Sequence, residues 1–277
     1  MPLAFKLNRK LFYVLKLINH LSIDVVVGGV ASYYFFCTFF QVNASVITAS
    51  LLGMAIWCIY TLDHLIDARQ LKDTTADSRH TFHHKYFTEL TLLVAGVIVT
   101  ALAILPKLDM ATLLAGVKVA GWVVLYFISI HLLPWKRMAH KEFTIGMLYT
   151  TGILVGPLSL YQGDFKSVHY VMIAAFQLVV WYNLIAFSLR DVSHDEQHGF
   201  SSLATALGQL VTKRMLSVLE VIIATSALAL LLYNRGDLML LVVLMQLTIR
   251  LATRHVDEPL YFRIVADAVF VLPTVFV

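Results

Sequence analysis

The sequence predicts an all-α integral membrane protein, a bundle of about nine transmembrane helices, each near the length a bilayer requires. Three observations carry that prediction. Of 277 residues, 59% are hydrophobic and 14% charged, where soluble domains have roughly half and a quarter. The mean hydropathy is +0.79. The apolar residues fall in long runs separated by short polar clusters. No separate soluble domain fits between these runs, so the expectation is a single transmembrane domain over 1–277.

The first run, 21–40, follows an arm carrying Lys6, Arg9, Lys10 and Lys16. It lacks an Ala-x-Ala cleavage pattern and therefore reads as a retained span. The second, 45–66, ends at Asp63 and Asp67. The third and fourth, 88–105 and 110–133, are parted by the proline-led break 106–109. The fifth, 143–161, begins behind Lys136, Arg137 and Lys141, and the sixth, 168–190, runs into Arg190 and Asp191. The last three are 215–233, 236–252 and 261–277, parted by polar breaks at 234–237 and 253–258. Cys37 and Cys58 both lie inside apolar runs, which excludes a disulfide framework.

Charge placement orients the bundle. Of the 21 Lys and Arg residues, 17 fall on one side of the predicted spans, in the N-terminal arm and the longer connections. The positive-inside rule then sets the N-terminus and those loops in the cytoplasm and the C-terminus outside. That is the arrangement of a multi-pass protein of the bacterial inner membrane. Topology thus accounts for a pI near 9.0, and nucleic-acid binding is not needed to explain it.

Both ends of the chemistry lie on that same side. Asp63 and Asp67 stand in Y-T-L-D-H-L-I-D, and Asp191 and Asp195 in S-L-R-D-V-S-H-D. Two carboxylates four apart share one helical face and repel each other. At a membrane helix end they need a cation or hydrogen bonds. Four carboxylates converging on one cavity would suit Mg2+, which favours carboxylate oxygens while retaining water and phosphate oxygens. Such ions neutralise a diphosphate and make it a leaving group. Arg79, Lys136, Arg137 and Arg190 lie on the same predicted face and are the candidates for binding its phosphates. A long apolar tail among the helices would complete a polyprenyl diphosphate.

Residues 191–208, D-V-S-H-D-E-Q-H-G-F-S-S-L-A-T-A-L-G, resemble the second signature of the UbiA superfamily of intramembrane prenyltransferases. Asp191, Asp195, Gly199, Ser202, Leu203, Ala204, Leu207 and Gly208 carry the likeness. Asp63, Asp67 and Arg79 are similar to the first signature, and 134–152 resembles the basic lead-in to the family's fifth helix. The resemblance implies nine helices around a central cavity open to lipid. It implies Mg2+ and prenyl diphosphate held at Asp63, Asp67, Asp191 and Asp195, and prenyl transfer to an apolar acceptor through an allylic cation. Cyclisation of the same diphosphate without an acceptor, or isoprenoid binding or transport without catalysis, would use the same fold. The chain departs from the family pattern at Ile59 and Phe187, where amides usually stand, and at His80, where proline would follow Arg79. Asn183, one turn before Phe187, is a candidate substitute.

Other polar features remain open. His64, His80, His83, His84, His194 and His198 cluster beside the aspartates. Imidazole suits iron, so a histidine-box di-iron oxidase competes with a set of interfacial histidines. Asp24, Lys118, Glu220 and Asp267 fall inside spans, where ionisable residues face the interior and pair. Lys118 with Asp24 or Asp267 is one such pairing, and a proton path at Asp267 another. Tyr33, Tyr34, Phe35, Phe36, Phe39 and Phe40 either wall a carbocation cavity or face lipid and its interface.

Overall fold

The structure is a computed structural model that describes residues 9–69, 79–131, 141–198 and 201–276. The elements are helices throughout, with no strand among the described residues. Eight helices are long and apolar enough to span a membrane, and a ninth span arises if a bent pair at the N-terminus counts as one. The protein is a multi-pass membrane protein.

That bent pair is α1 (Arg9–His20) and α2 (Ile23–Phe39), which meet at 69°. The kink sits at Ser22, whose φ of 54° is left-handed and cannot continue a right-handed helix. The sequence predicts a span at 21–40, where α2 lies, and reads the residues before it, which hold α1, as a basic arm. Helix α1 exposes Leu11, Tyr13, Val14 and Leu17 and buries Asn19 and His20.

Helix α3 (Val46–Ala68) starts at Ser45, whose side chain accepts from the Thr48 amide at 3.3 Å. A short α4 (Arg79–Lys85) leads to α5 (Phe87–Ile104) and α6 (Met110–His131). The break between α5 and α6 doubles as a cap, because Asp109 accepts from the Thr112 amide at 2.7 Å. Both helices are apolar all round yet expose Leu92, Val99, Leu114, Val117 and Trp122. Such faces are stable only against lipid tails.

Helix α7 (Lys141–Leu160) packs on α6, α2 and α8. The long α8 (Ser167–His198) is the centre of the bundle, with Ala175, Phe176, Val179, Ile185 and Ala186 fully buried. It runs 32 residues, well past the predicted end at 190, because the polar R-D-V-S-H-D stretch continues the helix. Asp191 and Asp195 therefore stand on a helix. A short α9 (Leu203–Leu207) precedes α10 (Gln209–Leu231) and α11 (Gly236–His255), which both lie against α8. Helix α12 (Pro259–Ala268) continues as a 3-10 segment, Val269–Phe276, packed along α2.

Two expectations change here. Tyr33, Phe35, Phe36 and Phe40 face neither lipid nor the cavity; they are buried in the core, where Phe36 meets Phe176 edge-on at 5.1 Å. Lys118 is exposed on α6. Asp24 instead accepts from Asn19 Nδ2 at 2.6 Å, Asp267 from Asn183 Nδ2 at 3.3 Å, and Glu220 from the Tyr182 hydroxyl at 2.7 Å.

Candidate active site

The last turns of α3 carry Asp63 and Asp67, and both face the first residue of α7. Lys141 Nζ lies 3.3 Å from Asp63 Oδ2 and 3.8 Å from Asp67 Oδ2. One ammonium thus bridges the pair and offsets the repulsion that the i, i+4 spacing creates. The next residue, Glu142, turns the other way. Its Oε1 accepts the Leu203 amide at 2.7 Å, and Ser188 Oγ accepts the Ala204 amide at 2.9 Å. These bonds hold the S-L-A stretch, with Leu203 and Ala204 fully buried, against α7 and α8.

On α8, Asp191 pairs with the Arg263 guanidinium of α12. Arg263 also stacks 5.1 Å from the centre of the Phe187 ring. At the position where an amide was expected, an aromatic face therefore supports a cation that binds the aspartate. Asn183 does not take the amide's place, since its Nδ2 bonds Asp267. Asp195 stands one turn beyond Asp191. Burial, with the Asp191 charge adding to it, raises its carboxyl to about 6 against a hydrogen bond from Ser202.

Arg79 enters from α4. Its Nη2 donates to Asn19 Oδ1 at 2.9 Å, and its Nη1 meets His64 Nε2 at 3.1 Å. Burial and the neighbouring Arg263 charge lower it to about 10, so it stays protonated at neutral pH. Arg190, a candidate for the phosphates, lines the same cavity as the aspartates. Its guanidinium donates to the Val256 and Asp257 carbonyls and lies over the Phe262 ring, fastening α8 to the connection before α12. Lys136 and Arg137 lie outside the described residues.

Two of the histidines turn to backbone carbonyls. His83 Nδ1 meets the Arg79 carbonyl at 2.9 Å and His84 Nδ1 the Ala68 carbonyl at 3.3 Å. Among the described residues, no three His, Cys, Asp or Glu side chains converge as a metal cluster. The side chains of His80, His194 and His198 fall outside the described set.

All four aspartates line one cavity of about 690 Å3, together with Lys141, Arg79 and Arg263. Its further walls include Tyr60, Tyr149, Asn183 and Asp267. Lys141 and Arg263 are the two site residues that the sequence reading did not single out. Arg263 had one sequence signal, its i, i+4 spacing to an acid inside a span, Asp267. Lys141 had none beyond membership of a basic cluster.

No family model matches the chain, and no curated protein matches it. Among solved structures, it is similar to a UbiA homologue from Aeropyrum pernix K1 in its apo form. The TM-score is 0.65 at 16% identity, over 90% of this chain and 96% of that one. It is also similar to a UbiA homologue from Archaeoglobus fulgidus bound to DMAPP and Mg2+, with a TM-score of 0.63 at 13% identity, over 94% and 98%. A digeranylgeranylglyceryl phosphate synthase matches with a TM-score of 0.54 at 16% identity, over 94% and 95%. The chain has the fold of UbiA homologues.

Proposed function

We propose that this chain is a divergent UbiA-type prenyltransferase, which transfers a prenyl group from a polyprenyl diphosphate to an apolar acceptor within the membrane. The observation that carries the reading is the cavity. Two aspartate pairs from α3 and α8 open onto one chamber, with cations such as Lys141, Arg79 and Arg263 beside them and apolar walls such as Val180, Leu184 and Phe270 beyond. A diphosphate head fits the charged end and a hydrocarbon tail the rest. The Archaeoglobus fulgidus neighbour, bound to DMAPP and Mg2+, supports the substrate class.

The residues present suit a hard divalent cation. Asp63 Oδ2 and Asp67 Oδ2 already turn onto one cation, the Lys141 ammonium, and Mg2+ takes one or two carboxylates plus phosphate oxygens. Asp63 and Asp67 would hold it, with Asp191 and Asp195 for a second, and its chemistry there is to neutralise the departing diphosphate. The chain's own residues do the rest. Lys141, drawn from the carboxylates, and Arg79 hold phosphate oxygens as charge-assisted donors. Arg263, steadied on Phe187, fixes the Asp191 side of the head group. The C1–O bond breaks with its electron pair going to the diphosphate. The resulting allylic cation lies among the Tyr60, Tyr149 and Phe270 side chains, whose ring faces attract positive charge. Positive-inside placement puts this charged end at the cytoplasmic face.

The test is release of diphosphate from radiolabelled farnesyl and longer prenyl diphosphates by purified protein with MgCl2. Asp63→Asn and Asp191→Asn should each lower release by about 100-fold or more, the scale of losing one electrostatic stabiliser in a dry site. Unchanged release in both variants, or a wild type that neither binds nor cleaves any prenyl diphosphate of the series, would overturn the reading.

A further inference from the structure

The candidate head-group site uses Asp63, Asp67, Asp191 and Asp195, and leaves Asp267 in the same cavity without a task. Asp267 lies on α12 four residues after Arg263, about one helical turn along the same face. It is 6% exposed and lines the cavity. Among the described residues its one hydrogen bond comes from Asn183 Nδ2, received at Oδ1. Oδ2 is not among the sealed, unpartnered atoms and is left to the chamber.

The wall beside it is polar and unfinished. Asn183 is 3% exposed, and its Oδ1 is buried with no hydrogen-bond partner among the described residues. The Tyr149 hydroxyl is in the same state. Each orphaned polar atom costs about 1–3 kcal/mol. Gly28 and Gly29 of α2 adjoin the hydroxyl. A Cβ at Gly29 would stand 3.4 Å from Tyr149 Oη, and one at Gly28 3.5 Å from it. The backbone of α2 thus comes close to a hydroxyl with no hydrogen-bond partner among the described residues.

Asp267 Oδ2 presents an acceptor to the chamber, with the Asn183 amide and the Tyr149 phenol in the wall behind it. Such an acceptor recognises a group that donates a hydrogen bond. A primary amine beside a carboxylate would be held protonated and would lose its nucleophilic lone pair, so the matching nucleophile is a hydroxyl. From this we infer that Asp267, positioned by Asn183 and assisted by the Tyr149 hydroxyl, binds a hydroxyl-bearing acceptor and takes its proton during transfer. The inference rests on the proposed prenyl transfer. The acceptor oxygen forms its bond to prenyl C1 as the C1–O bond to diphosphate breaks. The electron pair leaves with the diphosphate, the hydroxyl proton passes to Asp267 Oδ2, and the product is a prenyl ether. One turn of separation from Arg263 suits this, because C1 is joined directly to the head group that Arg263 and Asp191 adjoin.

The test uses full-length protein in lipid nanodiscs with farnesyl diphosphate as donor. The acceptor probes are 1-naphthol and 1-hexadecanol, each beside its methyl ether. Equilibrium binding of the probes is measured with and without donor, and ether product by mass spectrometry. Wild type should prefer each hydroxyl over its ether by about tenfold or more, as sites built around a hydroxyl do. Asp267→Asn should lose product by about 100-fold, the scale of a general base, and Asp267→Glu should recover part of it. Tyr149→Phe removes a hydroxyl that makes no hydrogen bond among the described residues while keeping the ring, and it should weaken the preference for each hydroxyl over its ether. A wild type indifferent to methylation, or variants that keep the full preference, would overturn the inference. Hydroxyl preference without any farnesyl diphosphate binding would instead sink the prenyl-transfer reading and leave the subsite standing.

Discussion

Replacing Lys141 by methionine separates the two roles its ammonium plays. In the wild type Nζ lies 3.3 and 3.8 Å from the two carboxylates. At an effective dielectric constant near 20, those contacts attract by about 5 and about 4 kcal/mol before desolvation is deducted. Removing one partner of a buried pair costs about 3–5 kcal/mol net. Lys141 keeps 25% of its side chain exposed, so the lower end, about 3 kcal/mol, applies. For a chain of this size that lowers Tm by on the order of 6–12 °C. The vacated carboxylates then meet Mg2+ without a competing ammonium, and at 100 times Kd the ion returns about 2.7 kcal/mol. Thermal unfolding in nanodiscs, with MgCl2 against choline chloride of equal ionic strength, measures both effects. Lys141→Met should melt lower than wild type and recover more strongly with Mg2+. Equal melting temperatures, or an equal Mg2+ response in both proteins, would refute the view that the lysine occupies a cation site.

Other outcomes follow from burial and close approach. His83 is 1% exposed, and burial holds its imidazole at about 4 instead of the ordinary 6.5. The unfolded chain therefore takes a proton first. Stability is complete above pH 6.5 and falls as the pH drops toward 4, by about 3 kcal/mol in all. Melting curves from pH 7.5 to 4.5 should show the decline, and His83→Phe should flatten it. Gly28→Ala would set a Cβ 2.9 Å from Phe270 Cβ and should cost about 1–3 kcal/mol by forcing α2 from the C-terminal segment. Gly96→Ala meets nothing within 4 Å and should gain about 1 kcal/mol of helix propensity. A Gly28→Ala protein as stable as wild type would contradict the close packing.

The spans were legible because lipid-length apolar runs leave few alternatives, and all nine predicted runs correspond to helices. Their ends were not. Polar residues such as Asp191 and Asp195 mark an interface in a hydropathy reading, yet α8 continues through them, since nothing in R-D-V-S-H-D breaks a helix. Helix α1 was hidden for the opposite reason: its basic residues read as an arm, although its apolar residues sit along one face. The aspartates were legible as a repeated spacing. Their partners were not, because no pattern in the sequence tells which of many basic residues on one side turns inward. Lys141 and Arg263 reach the acids from helices far away in the chain. The core aromatics from Tyr33 to Phe40 were misread for a related reason, as composition cannot separate a helix face toward lipid from one toward α8.

The neighbouring residues Lys141 and Glu142 work as a caliper. One arm touches the carboxylates of α3, the other the amide that begins α9 and fixes the stretch after Asp195. The span between the two half-sites is therefore set by a single turn of α7 and not by the long connections that join them. A one-residue insertion or deletion between Lys141 and Gly146 would swing both arms by about 100° and put the two halves out of register at once.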